Sequence, residues 1–459
     1  MLDRILIVGG GFCGTVLAAN LLRRPPANST EIVLIERRPE MGRGVAYAVR
    51  ESPYLLNVPA GRLSADSLDP LQFLRFAQRT SPEVDAEDFL PRQMYGDYLQ
   101  DFLSRAEREA PAHVRLARVF GEVTHLSRHA DDGSWAAHFA HREPIAARRV
   151  ILAVGNPPPP ALPWAESVRD HPAYRDDPWS PLPRLSAEHC VLIIGNGLTM
   201  VDVASSLTRD AARAPRLVTI SRRGLVPLPQ SSFRASAVQG DGEGLLACSA
   251  SIRRVLAMSR ALARDVAYLG GDWREVVTFI RNLAPGIWQR LPEVERRRFL
   301  RHLQSYWDVH RHRLPPQLAA SIDELRRGGG LEVNAGRIDE LTPDGNRLRV
   351  KWRRRGSAHA STLVADVVVN ATGPDYSLKR ARDPLLKSLR SEGWVSEDEL
   401  DLGLRTTATG ACVAADGRAG EQLFYLGPML RASHWEATAA TELRNHAEQL
   451  ARHLVGGGA

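Results

Sequence analysis

Two glycine-rich loops are the parts of this sequence best suited to chemistry, and each one follows a run of apolar residues. Residues 5–8 lead into Gly9-Gly10-Gly11-Phe12-Cys13-Gly14, and residues 191–194 lead into Gly195-Asn196-Gly197. A glycine loop between a strand and a helix brings backbone N–H groups to a phosphate, and the positive end of the helix dipole adds attraction. The two loops therefore predict two sites for phosphate-bearing cofactors.

The first loop has the complete G-x-G-x-x-G spacing of a dinucleotide fold. Gly9 allows the tight turn, Gly11 lets the backbone approach a pyrophosphate, and Gly14 allows the helix to pack closely on the strand. Glu36 ends the next apolar run, where a carboxylate accepts hydrogen bonds from a ribose. We predict that this unit permanently holds FAD, through the following residues: Gly9, Gly11, Phe12, Cys13, Gly14, Glu36 and Arg37.

The second loop lacks both the third glycine, where Met200 stands, and the acid, where Ser221 stands before Arg222 and Arg223. A carboxylate would repel a 2′-phosphate, whereas two arginines would attract one. We therefore assign NADPH to Gly195, Gly197, Ser221, Arg222 and Arg223. A second α/β domain without a ligand, carrying a solvated arginine pair, is the alternative.

Two further strands end in glycine corners, at Ala153-Val154-Gly155 and Ala371-Thr372-Gly373. We expect the chain to leave and rejoin the FAD-binding domain at these corners, and we place Gly373 beside FAD. A strand that simply ends in glycine is an equal alternative for each.

Apolar strand runs alternate with helical patterns around both loops, which is typical of a parallel sheet covered by helices. Residues 245–325 lose the strand pattern and are predicted to be a helical insertion. The predicted fold class is α/β, with two Rossmann-like dinucleotide-binding domains and this insertion. The FAD-binding domain is expected over 1–165 and 330–459, and the NADPH-binding domain over 166–329.

The composition excludes several other classes of protein. The chain has 459 residues, a net charge of +7 and four scattered cysteines without a C-x-x-C pair, which excludes a disulfide framework and a dithiol redox centre. Neither a membrane span nor a secretory signal is visible, so we expect a cytoplasmic protein. No nucleic-acid-binding module accompanies the positive charge, which favours anionic small molecules as partners.

The sequence resembles a bacterial group of FAD/NAD(P)-binding proteins within the flavoproteins that have two dinucleotide-binding domains. The residues that carry the resemblance are Gly44-Val45-Ala46-Tyr47, 55–62, Pro91-Arg92 with Tyr95-Gly96, 197–202 and Trp435-Glu436. More widely, the chain is similar to class B flavin monooxygenases, including the N-hydroxylases. The F-x-G-x-x-x-H signature of Baeyer–Villiger enzymes is missing.

This resemblance implies an NADPH-dependent monooxygenase that uses molecular oxygen, through a peroxyflavin, to oxygenate an amine or sulfur of a small molecule. An FAD-dependent NADPH dehydrogenase or reductase with a different acceptor is one alternative, and a non-catalytic flavin sensor is another. Asn57 and Ser64 are the candidates for contact with the isoalloxazine, although hydrogen bonding within their own loop would explain them equally well. Trp435-Glu436 is expected to begin a helix whose N-terminus stabilises negative charge on the flavin.

The helical insertion is the expected substrate lid. Several of its arginines are suited to gripping a carboxylate, although a salt-bridged surface explains them as well; they are Arg281, Arg297, Arg298, Arg301 and Arg313. His310 and His312 lack cysteine or carboxylate partners at metal-ligand spacing, so no metal site is predicted.

Overall fold

Continuous apolar runs of four to seven residues become the buried strands at the centre of the fold. The computed structural model describes residues 3–48, 54–231, 238 and 242–456. In the described residues, sixteen strands form three sheets. The strands are β1 Asp3–Val8, β2 Thr30–Glu36, β3 Val114–Phe120, β4 Val123–Arg128, β5 Trp135–Phe139, β6 Ile145–Ala147, β7 Arg149–Leu152, β8 Tyr174–Arg175, β9 Cys190–Ile194, β10 Arg216–Ser221, β11 Leu331–Asp344, β12 Arg347–Arg354, β13 Ala360–Ala365, β14 Val367–Asn370, β15 Ala411–Val413 and β16 Ala419–Tyr425.

Helices cover these sheets and make up most of residues 243–327. The α-helices of the described part of the chain are α1 Phe12–Arg23, α2 Gln72–Gln78, α3 Arg92–Arg108, α4 Leu198–Leu207, α5 Glu243–Ala247, α6 Ile252–Tyr268, α7 Trp273–Arg290, α8 Glu293–His302, α9 Gln304–Arg311, α10 Pro316–Arg327, α11 Pro384–Ser391 and α12 Ala440–Gly456. The predicted helical insertion is confirmed. None of these helices is both long and apolar enough to cross a bilayer.

The first sheet has the strand order β15-β16-β7-β1-β2-β3, and β1 pairs in parallel with both β2 and β7. Helices α1, α3 and α12 contribute to the buried core on one face of this sheet. Buried strands with parallel neighbours need apolar residues on both faces, which explains the unbroken run Ile5–Val8. The first βαβ unit is thus formed as predicted.

The second sheet has the order β13-β12-β11-β10-β9-β14-β8. Strand β9 pairs in parallel with β10 and β14, and β10 pairs in parallel with β11. The expectation of two Rossmann-like units with a helical insertion is confirmed.

One part of the predicted domain division is wrong. The strands between residues 331 and 370 were assigned to the FAD-binding domain, but β11 and β14 hydrogen-bond into the second sheet. Strand pairing joins residues far apart in sequence, and the apolar pattern of a strand does not tell which sheet it enters. The chain returns toward the first sheet after Asn370, where the N–H of Asp375 donates to the carbonyl of Pro158.

Candidate functional site

A cavity of about 220 Å³ opens at the carboxyl ends of β1 and β2 in the first sheet. This is the edge where open α/β sheets bind their ligands. Six of the seven residues predicted for FAD in the first unit line the cavity, namely Gly9, Gly11, Phe12, Cys13, Glu36 and Arg37. The seventh, Gly14, lies beneath the loop and packs the helix against the strand.

The glycines of the first loop are required by close backbone packing. Gly9 has φ +112°, and a Cβ there would lie 2.2 Å from the carbonyl oxygen of Ala153. A Cβ at Gly14 would lie 1.9 Å from the carbonyl oxygen of Gly9. Since neither position accommodates a side chain, the loop backbone and the start of α1 can pack closely against the ends of the strands.

The start of α1 leaves its N–H groups available to an anion. Gly11 is the N-cap, no side chain caps the helix, and the first turn holds no acid. Glu36 is buried, and its carboxylate accepts hydrogen bonds from the N–H groups of Gly10 (2.9 Å) and Arg38 (3.0 Å). An uncapped, positively polarised helix end beside a fixed carboxylate fits the pyrophosphate and ribose of FAD.

Arg43 holds the segment 44–47 against this cavity, a role that the sequence did not reveal. The side chain is 2% exposed and forms ion pairs with Glu40 and Asp97. A Cβ at Gly96 would lie 2.6 Å from Nη1 of Arg43, so the glycine makes room for the guanidinium. The Tyr95-Gly96 motif was the one available signal for this contact.

The cysteines of the described chain are all free and offer no redox pair. Burial raises the pKa of the Cys13 thiol, and of the Cys412 thiol, to about 12. Both thiols therefore stay protonated near neutral pH and act as small apolar side chains.

The second loop repeats the construction of the first. Gly195 has φ +104°, and a Cβ there would lie 2.6 Å from the carbonyl oxygen of Ala371. Gly197 is the uncapped N-cap of α4, and a Cβ there would meet nothing within 4 Å. The start of α4 is therefore open to a phosphate group in the same way as the start of α1.

This construction places the Gly373 corner beside the second loop, and contact of Gly373 with FAD stays a prediction. Ala371 contacts Gly195 in the same way that Ala153 contacts Gly9, so residues 371–373 form the corner beside the second loop. Gly373 is absent from the lining of the first cavity. The two corners look alike in sequence, and only the pairing of β14 with β9 shows which loop each one serves.

The two arginines after β10 have different surroundings. Arg223 donates to the Ser305 hydroxyl (2.7 Å) and to the carbonyls of Arg301 (2.9 Å) and His302 (3.2 Å), all in the insertion. Arg222 is exposed and has no hydrogen-bond or ion-pair partner among the described residues. The hydroxyl of Ser221 accepts a hydrogen bond from the N–H of Gly224 (3.0 Å). Of these two arginines, Arg222 is the one without a partner among the described residues, and it is therefore the better placed to bind a 2′-phosphate.

An ion pair joins the two cofactor-binding units. Arg92, at the start of α3, contacts both carboxylate oxygens of Asp202 in α4 (3.1 and 2.9 Å) and donates to the carbonyl of Leu55 (3.1 Å). Burial raises the pKa of Asp202 to about 6, although Arg92 opposes the shift. Nearby in sequence, the side chain of Asn196 in the second loop is buried, and neither of its polar atoms has a partner. Such a group is available to a bound cofactor.

Asn57 and Ser64 lie outside the lining of the first cavity. The Ser64 hydroxyl is buried, accepts a hydrogen bond from the N–H of Asp66 (3.1 Å) and lies 3.4 Å from the Tyr98 hydroxyl. Asn57 is partly buried in the loop before residue 60. The geometry of Ser64 fits hydrogen bonding within the loop, which was the alternative interpretation, and the role of Asn57 stays a prediction.

Most of the insertion arginines have partners within the protein. Arg281 pairs with Glu442, Arg297 with Glu293 and Arg298 with Glu295. Arg313 differs, because its Nε and Nη1 atoms are buried without a hydrogen-bond partner. Arg301 is exposed at the surface.

The two histidines at the end of α9 also interact with neighbouring groups of the protein. Burial and the nearby guanidinium of Arg311 lower the pKa of His312 to about 3, so this ring is neutral. Nδ1 of His310 lies 2.7 Å from the carbonyl oxygen of Tyr306. Among the residues that the structure describes, no group of three or more histidine, cysteine and acidic side chains is placed to hold a metal.

Residues 435 and 436 fasten the insertion to the first unit. Trp435 packs against Trp288 with ring centres 4.7 Å apart. The buried carboxylate of Glu436 accepts hydrogen bonds from Nε1 of Trp307 (3.1 Å) and Nε of Arg311 (2.9 Å). The expectation that a helix begins here is wrong, because α12 begins at Ala440. Thr438 and Ala440 do line the first cavity, so the start of this helix reaches the cofactor site.

Comparison with known proteins agrees with this geometry. Residues 6–157 match the FAD-NAD(P)-binding family. An uncharacterized protein of Mycobacterium tuberculosis is 23% identical over 414 residues, covering 80% of this chain and 73% of the relative.

Solved structures of similar fold include several N-hydroxylating flavoproteins. The FAD-bound cadaverine monooxygenase of Erwinia amylovora has a TM-score of 0.64 at 15% identity, covering 99% of this chain and 95% of that one. The ornithine N-hydroxylase of Kutzneria sp. 744 has a TM-score of 0.65 at 14% identity, with 100% of both chains covered. Residues 6–157 thus match an FAD-NAD(P)-binding family, and the chain has the fold of these flavoproteins, with two dinucleotide-binding units.

Proposed function

We propose that this protein is an NADPH-dependent flavin monooxygenase that oxygenates an amine or sulfur of a small molecule. The observation that carries the proposal is the pair of equivalent phosphate cradles, at Gly9–Gly14 and Gly195–Gly197, joined by the Arg92–Asp202 ion pair. When bound, FAD would supply the redox chemistry, accepting hydride from NADPH and passing electrons to oxygen.

In this proposal, backbone amides and side chains of the described residues bind and orient the cofactors. The amides at the start of α1 and the Glu36 carboxylate hold FAD, while the amides at the start of α4 and the Arg222 guanidinium hold NADPH. The Arg92–Asp202 pair sets the distance between the two units. Relatives of similar fold act on cadaverine, ornithine and lysine, which supports a nucleophilic nitrogen as the atom oxygenated.

The test follows NADPH, oxygen and peroxide together in the FAD-loaded protein. Candidate amines and thioethers are added, and the products are analysed for label from ¹⁸O₂. Monooxygenation predicts that a true substrate raises NADPH consumption and receives one labelled oxygen atom while peroxide release falls. Undiminished peroxide release with every compound, together with rapid anaerobic turnover on an artificial electron acceptor, would instead identify a reductase.

A further inference from the structure

The insertion encloses a second cavity, larger than the one in the first sheet. It measures about 760 Å³ and lies among α6, α7, α8 and α9. Small-molecule sites commonly enclose about 300–1,000 Å³. Most of the wall is aliphatic or aromatic, and its aromatic members are Trp273, Trp288, Phe299, Tyr306, Trp307 and Trp435.

The polar part of this wall includes two arginines, and only one of them has a counter-charge among the described residues. The lining contains Arg260 and Arg274 but, among the residues that the structure describes, no carboxylate. The guanidinium of Arg274 is occupied by Asp272 and the carbonyl of Pro229. Arg260 is exposed at the opening and has no hydrogen-bond or ion-pair partner among the described residues. One free cation therefore stands at the mouth of an apolar chamber.

A second unpaired guanidinium lies next to the wall. Arg313 is 8% exposed, and its carbon Cζ lies 5.9 Å from the centre of the Trp273 ring. Its Nε and Nη1 atoms are buried without hydrogen-bond partners. Because burial of an unpaired charge is costly, this side of the chamber favours an anion over a cation.

The chamber contacts the surroundings of both cofactor sites. Tyr306 in its wall lies 5.2 Å from the guanidinium of Arg223, the residue that follows Arg222. Trp435, also in the wall, lies three residues before Thr438, which lines the first cavity. A molecule held in the chamber thus touches side chains anchored to both units.

We propose that this chamber binds an amphiphilic carboxylate, with an acyl chain or aryl group inside and the acidic end at Arg260. Apolar burial supplies most of the affinity, and the arginine selects the charge of the head group. A short diamine fits poorly, because none of the described lining residues is a carboxylate that could pair with a buried ammonium group. The proposal concerns binding alone and does not depend on the oxygenation proposed above.

The test is an equilibrium titration of the FAD-loaded protein without NADPH, using decanoate, decanol and decylamine as probes. Tryptophan fluorescence reports occupancy, because four of the lining rings are tryptophans. We expect saturable binding of one decanoate per chain, with decylamine at least tenfold weaker. Since no turnover is involved, this result is separate from the success or failure of the monooxygenase assay.

Two variants locate the ligand. Arg260→Gln should weaken decanoate up to about fivefold, the scale of an exposed ion pair, and leave decanol unchanged. Arg264→Gln is the matched control, because Arg264 is exposed on the same helix but outside the lining. Ala263→Trp fills the chamber and should abolish binding of both probes, with FAD content and circular dichroism confirming that the variant is folded.

The proposal is overturned if decanoate and decylamine bind equally well, or if decanoate shows no saturable binding. Undiminished decanoate binding by folded Ala263→Trp, or equal effects of Arg260→Gln and Arg264→Gln, would also overturn it.

Discussion

Replacing Arg222 by alanine should separate NADPH from NADH. Arg222 is exposed directly after β10, and its removal takes away no hydrogen bond or ion pair among the described residues. A hydrogen bond to a charged group is worth about 1.5–3 kcal/mol, and solvent exposure places this one near the lower limit. We therefore expect the Kd of NADPH to rise about tenfold, while that of NADH changes less than twofold.

Arg223→Ala is the matched comparison, because the neighbouring residue has the opposite surroundings. It removes hydrogen bonds to Ser305 and to the carbonyls of residues 301 and 302, together with the contact with Tyr306. Because these contacts lie within the protein, we expect their loss to lower the Tm and to weaken the binding of NADPH and NADH to a similar degree.

The assay is flavin reduction under anaerobic conditions, measured by loss of flavin absorbance at a series of NADPH and NADH concentrations. Repeating it at low and at physiological salt provides a second readout, because screening shortens the reach of an exposed charge to about 8 Å at 0.15 M. The wild-type preference for NADPH should shrink as salt rises, and Arg222→Ala should show little salt dependence. Equal weakening of both nucleotides by Arg222→Ala would refute this reasoning and place the 2′-phosphate elsewhere.

Three more perturbations test the site. Gly9→Ala should prevent FAD retention, because its Cβ would lie 2.2 Å from a carbonyl oxygen. The control Gly345→Ala, also at positive φ but in open space, should cost only about 1 kcal/mol of stability and keep the flavin. Flavin absorbance per chain measures FAD retention in both variants. Because burial raises the pKa of Asp202 to about 6, its ion pair with Arg92 should form as pH rises through 6. The KM for NADPH should therefore fall over that pH range in the wild type and stay constant in Asp202→Asn. The same shift means that ionisation of Asp202 lowers the free energy of unfolding between about pH 4 and 6. Glu436→Gln leaves the partly buried Arg311 without its counter-charge and should destabilise the protein by about 2–3 kcal/mol. The measurements are Tm and the rate of proteolysis within the insertion, and an unchanged rate would contradict this role.

The features predicted correctly from the sequence are those encoded locally. A glycine spacing, an apolar run and a terminal acid lie within about 30 neighbouring residues in a dinucleotide-binding unit, so Gly9, Gly14 and Glu36 could be placed from the order of residues alone. The second loop was found in the same way, despite Met200 in place of its third glycine.

The errors and omissions concern contacts between distant residues. The position of the Gly373 corner beside the second loop could not be predicted, because the pairing of β14 with β9 joins residues far apart in the chain. The Arg92–Asp202 pair was missed for the same reason, although both residues lie in motifs that carry the family resemblance. Adjacent Arg222 and Arg223 look equivalent in sequence, and only the approach of α8 and α9 makes them different.

The contacts of Arg223 and Glu436 connect the insertion to both cofactor-binding units. Arg223 leaves the NADPH-side sheet and holds the chain around residues 301–305, while Glu436 holds Trp307 and Arg311 from the FAD side. The two anchors therefore hold the end of α8 and the whole of α9 from opposite cofactor units. Tyr306, a wall residue of the larger chamber, lies between the anchored residues in sequence. Packed interiors transmit small displacements because they contain little free volume. A change in the separation of the two units thus strains the wall of the chamber directly, so ligand occupancy and cofactor geometry are expected to depend on each other.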